Sequence, residues 1–255
     1  MRRFHIYFSG IFMLGIVASC TTHYHVSDIS RSRILVDSRY DNMVDNDVQA
    51  FMAPYKHKVD SIMSPKLGRV AKNMSAHKPE SEQSNLLADI LVWAGDKYNE
   101  KPDIGLYNMG GIRADLIKGD VTYGDVLDMA PFENKICFLT LSGEKLLTLF
   151  RQIASVGGEA VSHGVELKIT KDRKLVDAKI NGKEIDRNAS YRIATIDYLS
   201  QGNDKLEVLR EGTDVNSPKD AQSNTRFIIM DYFREMDKQG KVVDAQIEGR
   251  VKVVE

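Results

Sequence analysis

Two hydrophobic periods alternate along this chain, and that alternation limits its fold more than any other feature. Helical spacing opens at Val44. Val44, Val48, Phe51, Tyr55, Val59 and Ile62 recur at three- and four-residue steps, one face of a long helix that Ser64-Pro65 ends. Leu86, Leu87, Ile90, Leu91, Ala94 and Tyr98 mark a second helix. Residues 104–107 read as a short buried strand running into Gly110-Gly111, and residues 136–141 as another strand, after which Ser142 caps a helix bearing Leu146, Leu147, Phe150 and Ile153. Residues 165–169 and 176–180 alternate like strands, and Asn181-Gly182 is a two-residue hairpin signal. Residues 191–196 predict a further strand, 227–236 a helix and 246–254 a closing strand. Helices and strands interleaved with hairpins predict an α/β chain of α+β character, with mixed sheets and hairpins packed against helices.

The 255 residues suffice for one large domain or two small ones, and an apolar share of 42% supports a real core. These values exclude a disordered chain, a collagen-like fibre and a polytopic membrane protein. With 35 basic and 36 acidic residues the net charge is −1, which argues against nucleic acid as a partner, since phosphate backbones need a basic surplus. Cys20 and Cys137 are the two cysteines, too few for a disulfide framework or a zinc cluster. Cys137 sits in a predicted apolar strand and reads as a buried small hydrophobe. Trp93, beside Leu91 and Ala94 in a predicted helix, reads as core or interface.

The N-terminus reads as an address. Arg2 and Arg3 precede an apolar run over residues 6–17, which is short for a membrane span and has the flanks of a secretory signal. Val17-Ala18-Ser19-Cys20 resembles a bacterial lipobox, and the resemblance implies cleavage before Cys20 and lipidation of that residue. The expected organisation is a signal peptide over 1–19, a polar tether over 20–32 and one domain over 33–255. His23-Tyr24-His25, without a neighbouring acidic or Cys ligand, reads as solvated tether. Acyl chains on Cys20 would hold the domain at a membrane surface. Thr21 stands where some lipoproteins carry a retention Asp, so the expected place is the cell envelope, at the outer membrane.

Three loops carry candidate chemistry. Asn108-Met109-Gly110-Gly111-Ile112-Arg113 follows a predicted strand, and its paired glycines allow close backbone approach to a ligand, with Asn108 and Arg113 as donors. Alone, such a turn is structural more often than not. It has neither the spacing of a dinucleotide fingerprint nor the Gly-Lys-Ser/Thr of a P-loop. Pro131-Phe132-Glu133-Asn134 places an aromatic in a loop before a strand: a core Phe at a sheet edge, or a platform for a flat ligand. Tyr198-Leu199-Ser200-Gln201-Gly202-Asn203-Asp204 puts an aromatic and a carboxylate at the two ends of a Gly/Asn-rich turn: an ordinary turn, or a second ring with a hydroxyl-binding acid.

Taken in order with Lys118-Gly119-Asp120-Val121-Thr122, Leu141-Ser142-Gly143-Glu144-Lys145-Leu146 and Tyr191-Arg192-Ile193-Ala194-Thr195, these clusters resemble the C-terminal domain of the 5'-nucleotidase family. Ser81-Glu82 and Asn85-Leu86-Leu87-Ala88-Asp89 extend the resemblance, which covers residues 81–204. By that resemblance Phe132 and Tyr198 match the rings that stack a nucleobase, and Asn108 a residue that helps hold it. Gly110 and Gly111 lie close to the nucleoside, Arg113 lies near the ribose and phosphate end, and Asp204 binds ribose hydroxyls. Asn134 belongs with these substrate-binding residues. Two stacked faces are worth about 1–3 kcal/mol per base, and a carboxylate suits a vicinal diol as a double acceptor. His77-Lys78 stand where many members carry an Arg.

Full nucleotidases of the family join this domain to a metallophosphatase domain with Asp-x-His, Gly-Asp-x-x-Asp, Gly-Asn-His-Glu and Gly-His-x-His motifs. Asp-x-His, Gly-Asn-His-Glu and Gly-His-x-His do not occur in this sequence; Gly-Asp-x-x-Asp has one match, Gly124-Asp125-Val126-Leu127-Asp128, which stands without the His motifs. No catalytic or metal-ligating residue is therefore assigned, and divalent metals are expected on a partner chain. The leading expectation is the nucleoside- or nucleotide-binding half of a split 5'-nucleotidase acting in nucleotide catabolism with a separate metallophosphatase protein. The alternatives are a non-catalytic nucleotide-capturing lipoprotein and a scaffold that lost its ligand.

Overall fold

Strand pairing in the computed structural model, which describes residues 24–42 and 45–255, yields three sheets rather than one. Cys20, His23 and Val44 lie outside the described residues, and the signal peptide and lipidation site with them. The chain divides into two units, one through Phe51 and the other Met52–Glu255. In the first, residues 24–36 are exposed and without regular structure, and Ser38–Tyr40 form one 3-10 turn. Residues 33–51 of the expected 33–255 domain therefore fall outside the second unit. Those of them that are described contribute no strand and no buried side chain to a core.

Helix α1 (Asn46–Met63) follows the predicted period and ends before Ser64-Pro65, yet none of its residues is buried. The later helices all bury side chains, and α2 (Glu82–Trp93) is buried nearly all round, over residues 83–88 and at Ile90 and Leu91. Helix α2 starts at a reciprocal capping box between Ser81 and Ser84 and packs on strands β2 (Ile104–Tyr107) and β5 (Ala160–Val161). At Gly105 of β2 a Cβ would collide with the Ala88 carbonyl, so glycine permits this contact between strand and helix. Helix α3 (Tyr123–Met129) begins at a Thr122–Asp125 capping box, and α4 (Gly143–Ser155) begins at Ser142. A single turn, α5, spans Asp197–Ser200, and α6 (Thr225–Lys238) begins at Asn224. Phe138, Phe150 and Phe233 are among the largest fully buried side chains, each contributing about 2 kcal/mol or more.

The central sheet has the order β10 (Thr213–Asn216), β4 (Ile136–Ser142), β9 (Ser190–Ile196), β2, β5. Strand β9 runs antiparallel to β4 and parallel to β2. A second sheet orders β11 (Val251–Val254), β6 (Val165–Thr170), β7 (Leu175–Ile180) and β8 (Lys183–Glu184). Asn181 and Gly182 turn β7 into β8 with φ of 51° and 71°, the primed-turn conformation that this dipeptide favours. A two-stranded sheet pairs β1 (Lys66–Val70) with β3 (Gly119–Thr122). The result is the mixed α/β architecture expected from the alternating periods.

The closing strand is shorter than predicted. Its expected first half, residues 246–250, is tied by side chains instead. Buried Glu80 accepts from the backbone N–H groups of Glu248 and Gly249, and Arg250 pairs with Asp89. Cys137 is buried in β4, and burial pushes its thiol up, consistent with a packed apolar role.

Candidate functional site

Register places the three candidate loops at one end of the central sheet. Ile136, the first residue of β4, pairs with Ile196, the last of β9. Parallel pairing of Ile104 with Ile193 and Gly105 with Ala194 brings the end of β2, Tyr107, to the same level. The chain therefore leaves β2 into Asn108–Gly111, enters β4 from Phe132–Asn134, and leaves β9 into Tyr198–Asp204 along one edge. Two of these loops leave the carboxyl ends of the parallel pair β2 and β9, the end at which ligands of parallel α/β sheets characteristically sit.

The loops enclose a cleft of about 240 Å³ lined by Asn108, Gly110, Gly111, Phe132, Asn134, Tyr198 and Asp204. Phe132 and Tyr198 keep 47% and 37% of their surface exposed, large apolar faces left uncovered by the protein. Arg113 is not among the lining residues. It is exposed, and its Nη1 lies 3.4 Å from the Gly110 carbonyl at the margin of the same loop.

Asp204 joins two of the loops. Its Oδ1 accepts from the Tyr198 hydroxyl at 2.9 Å and its Oδ2 from Asn108 Nδ2 at 3.0 Å. The hydroxyl's bond to this carboxylate pushes the Tyr198 phenol up from its ordinary value. Asp204 takes φ of 55°, a left-handed conformation that Asp tolerates better than most residues. Each carboxylate oxygen retains a lone pair for a ligand hydroxyl. Asn108 is 6% exposed, and its Oδ1 is buried without a hydrogen-bond partner. A Cβ on Gly111 would lie 2.6 Å from that oxygen, so the second glycine makes room for the Asn108 side chain, whereas a Cβ on Gly110 would meet open space.

Sequence reasoning missed the residues behind these loops. Buried Glu159 accepts from the Met109 N–H at 2.7 Å through one oxygen and from Lys78 Nζ at 2.7 Å through the other. Lys78 also donates to the Val156 carbonyl. It therefore neutralises the acid that anchors the Gly-Gly turn. Behind the Phe132 loop, Thr225 donates its N–H and hydroxyl to the Asn134 carbonyl. No sequence motif signals either contact, because each partner lies far along the chain from the loop that it supports. Among the described residues no three His, Cys, Asp or Glu side chains gather as metal ligands.

Comparison with known proteins accords with this geometry. The family described as 5'-nucleotidase, C-terminal domain, matches residues 62–211. Silent protein UshA(0) of Salmonella typhimurium is 26% identical over 196 residues, covering 69% of this chain and 36% of that protein. The trifunctional nucleotide phosphoesterase protein YfkN of Bacillus subtilis is 27% identical over 220 residues, covering 78% of this chain and 14% of that protein. In structure, the 5'-nucleotidase precursor from Thermus thermophilus superposes with a TM-score of 0.70 at 24% identity, covering 81% of this chain and 43% of that one. The chain thus spans less than half the length of each of these relatives. The profile match, extending over more than half of the residues and containing all three loops of the cleft, makes this chain a member of the 5'-nucleotidase C-terminal domain family.

Proposed function

We propose that this chain is the nucleoside- or nucleotide-binding half of a split 5'-nucleotidase, and that a separate metallophosphatase chain supplies phosphate hydrolysis. The observation that carries the reading is the convergence of two exposed rings, Phe132 and Tyr198, and one carboxylate, Asp204, on a single cleft. A base between the rings, a ribose diol on Asp204 and a phosphate toward Arg113 use the side chains that those chemical groups require. Asn134 and the backbone at Gly110-Gly111 complete the walls. The chain contributes binding and orientation, and the partner contributes the metals that activate water. Anchoring through acylated Cys20 at the cell envelope would keep the binding half at a membrane surface.

Two experiments test this. Calorimetry with adenosine, AMP and the other nucleosides and 5'-nucleotides measures the slot. Phosphate release from AMP is then measured with this chain, with a metallophosphatase chain that co-purifies with it, and with both. The expected result is binding by this chain alone and faster release by the mixture than by either component. Binding without any gain on mixing would reassign the chain as a nucleotide-capturing lipoprotein. No binding, with Phe132→Ala and Tyr198→Ala indistinguishable from wild type, would leave a scaffold. Palmitate labelling that survives in Cys20→Ser would remove the anchor from the account.

A further inference from the structure

Phe132 stands in a segment, residues 130–134, that precedes β4 without helical or strand structure. Thr225 holds its last carbonyl, at Asn134, and one side chain holds the three carbonyls at its start. Arg226, in the first turn of α6, donates from Nε to the Ala130 carbonyl at 3.0 Å and from Nη2 to the carbonyls of Pro131 at 2.6 Å and Phe132 at 3.3 Å. The planar guanidinium suits such a task, since its donors leave in fixed directions. The placement is not favoured by the helix itself. A cation in the first turn opposes the helix dipole, so the three carbonyls must offset that cost. Arg226 also lies beyond residues 62–211, outside the segment that matches the family.

We propose that Arg226 is a positioning residue for the nucleobase: its guanidinium grips three successive carbonyls and so fixes the Phe132 ring as one wall of the cleft. The inference rests on the reading of the cleft as a nucleoside slot. It adds a residue that need not touch the ligand and acts by removing freedom that binding would otherwise have to remove.

The test is a double-mutant cycle on the full chain, read by calorimetry with adenosine and AMP. Arg226→Met keeps the stem and loses every donor, while Arg226→Lys keeps the charge and loses the fork. Both are expected to weaken adenosine binding about tenfold, because adenosine lacks a phosphate and the charge alone gives no rescue. In a Phe132→Ala background Arg226→Met is expected to cost less than about twofold more. Equal losses in both backgrounds, or full rescue by Lys, would overturn the proposal. A readout without ligand separates it from the proposed function. Backbone order parameters of residues 132–134 are expected to fall from about 0.85 to below about 0.6 in Arg226→Met, while residues 136–142 stay rigid. Should wild type bind neither adenosine nor AMP, the proposed function fails, and the order parameters alone decide the clamp; unchanged values overturn it.

Discussion

Asp204 concentrates the chemistry of the cleft in one residue, because its two oxygens serve Tyr198 and Asn108 while keeping acceptor capacity toward solvent. Substituting Asp204→Asn removes the charge and half of that capacity. Isothermal titration should then show adenosine binding weakened to about the level of 2',3'-dideoxyadenosine, a loss of about 1.5–3 kcal/mol, as expected for a hydrogen bond to a charged group. Undiminished preference for the ribose form in the variant would exclude Asp204 as the diol acceptor. A second residue-scale prediction concerns acid. Glu100 bonds Arg192 through both oxygens and also accepts from Asn216, and the Arg192 bonds hold its carboxyl below the ordinary 4.5 despite opposing burial. A depressed folded value means that the stabilisation is complete above about 4.5 and is lost as pH falls through the folded value. Glu100→Gln should lower stability by about 1–2 kcal/mol near pH 7 and by clearly less near pH 3, measured by urea unfolding at each pH. Equal losses at both would refute the linkage. The candidate side chains of the cleft were legible in the sequence because Gly-Gly, Pro-Phe and Gly-Asn-Asp occur in loops bounded by apolar runs. Glu159 and Arg226 were not, since a lone Glu or Arg has no local pattern, and its role depends on a contact across the fold.

Among elements, the clearest lesson comes from two segments whose hydrophobic pattern was equally plain. Strand β4 was readable as a continuous apolar run and is buried along nearly its whole length. Helix α1 has a helical apolar stripe of similar clarity, and none of its residues is buried. Period therefore determines the local conformation, and only tertiary contacts determine what covers a face. Residues 246–254 fail differently. Val251 and Val253 carry the strand signal, but Glu80 captures the preceding backbone N–H groups before they reach a sheet partner. Arg250, 4% exposed, then locks this segment to α2 through Asp89 and to the Val161 carbonyl. Burial would lower the guanidinium's affinity for its proton, yet the Asp89 and Glu248 carboxylates outweigh it and hold the value above ordinary. Arg250→Met strips the donors from Asp89, Glu248 and the carbonyls of Asn85 and Val161, so it should cost about 3 kcal/mol, visible as a lower urea midpoint with unchanged slope. A change below about 0.5 kcal/mol would show that the closing strand holds without this pair.

At the scale of the whole unit, the cleft draws its walls from residues near 108, 132 and 198–204, segments that meet only through the pairing of β2, β9 and β4. An unfolded chain therefore has no slot, and any ligand of the cleft must stabilise the folded state by mass action. At about a hundred times its dissociation constant the gain is about 2.7 kcal/mol. For a unit of this size that corresponds to a rise in Tm of about 5–10 °C. Phe132 is half exposed and outside the buried core, so Phe132→Ala should leave the Tm of the free protein within about 2 °C of wild type. The same variant should lose most of the ligand-induced rise at equal AMP concentration, because about 1–3 kcal/mol of stacking disappears with the ring. This pairing separates binding from scaffolding in one thermal-shift series. A protein that only kept the fold would show the first result without any rise to lose, and a rise that survived Phe132→Ala in full would place the nucleotide somewhere other than between the two rings.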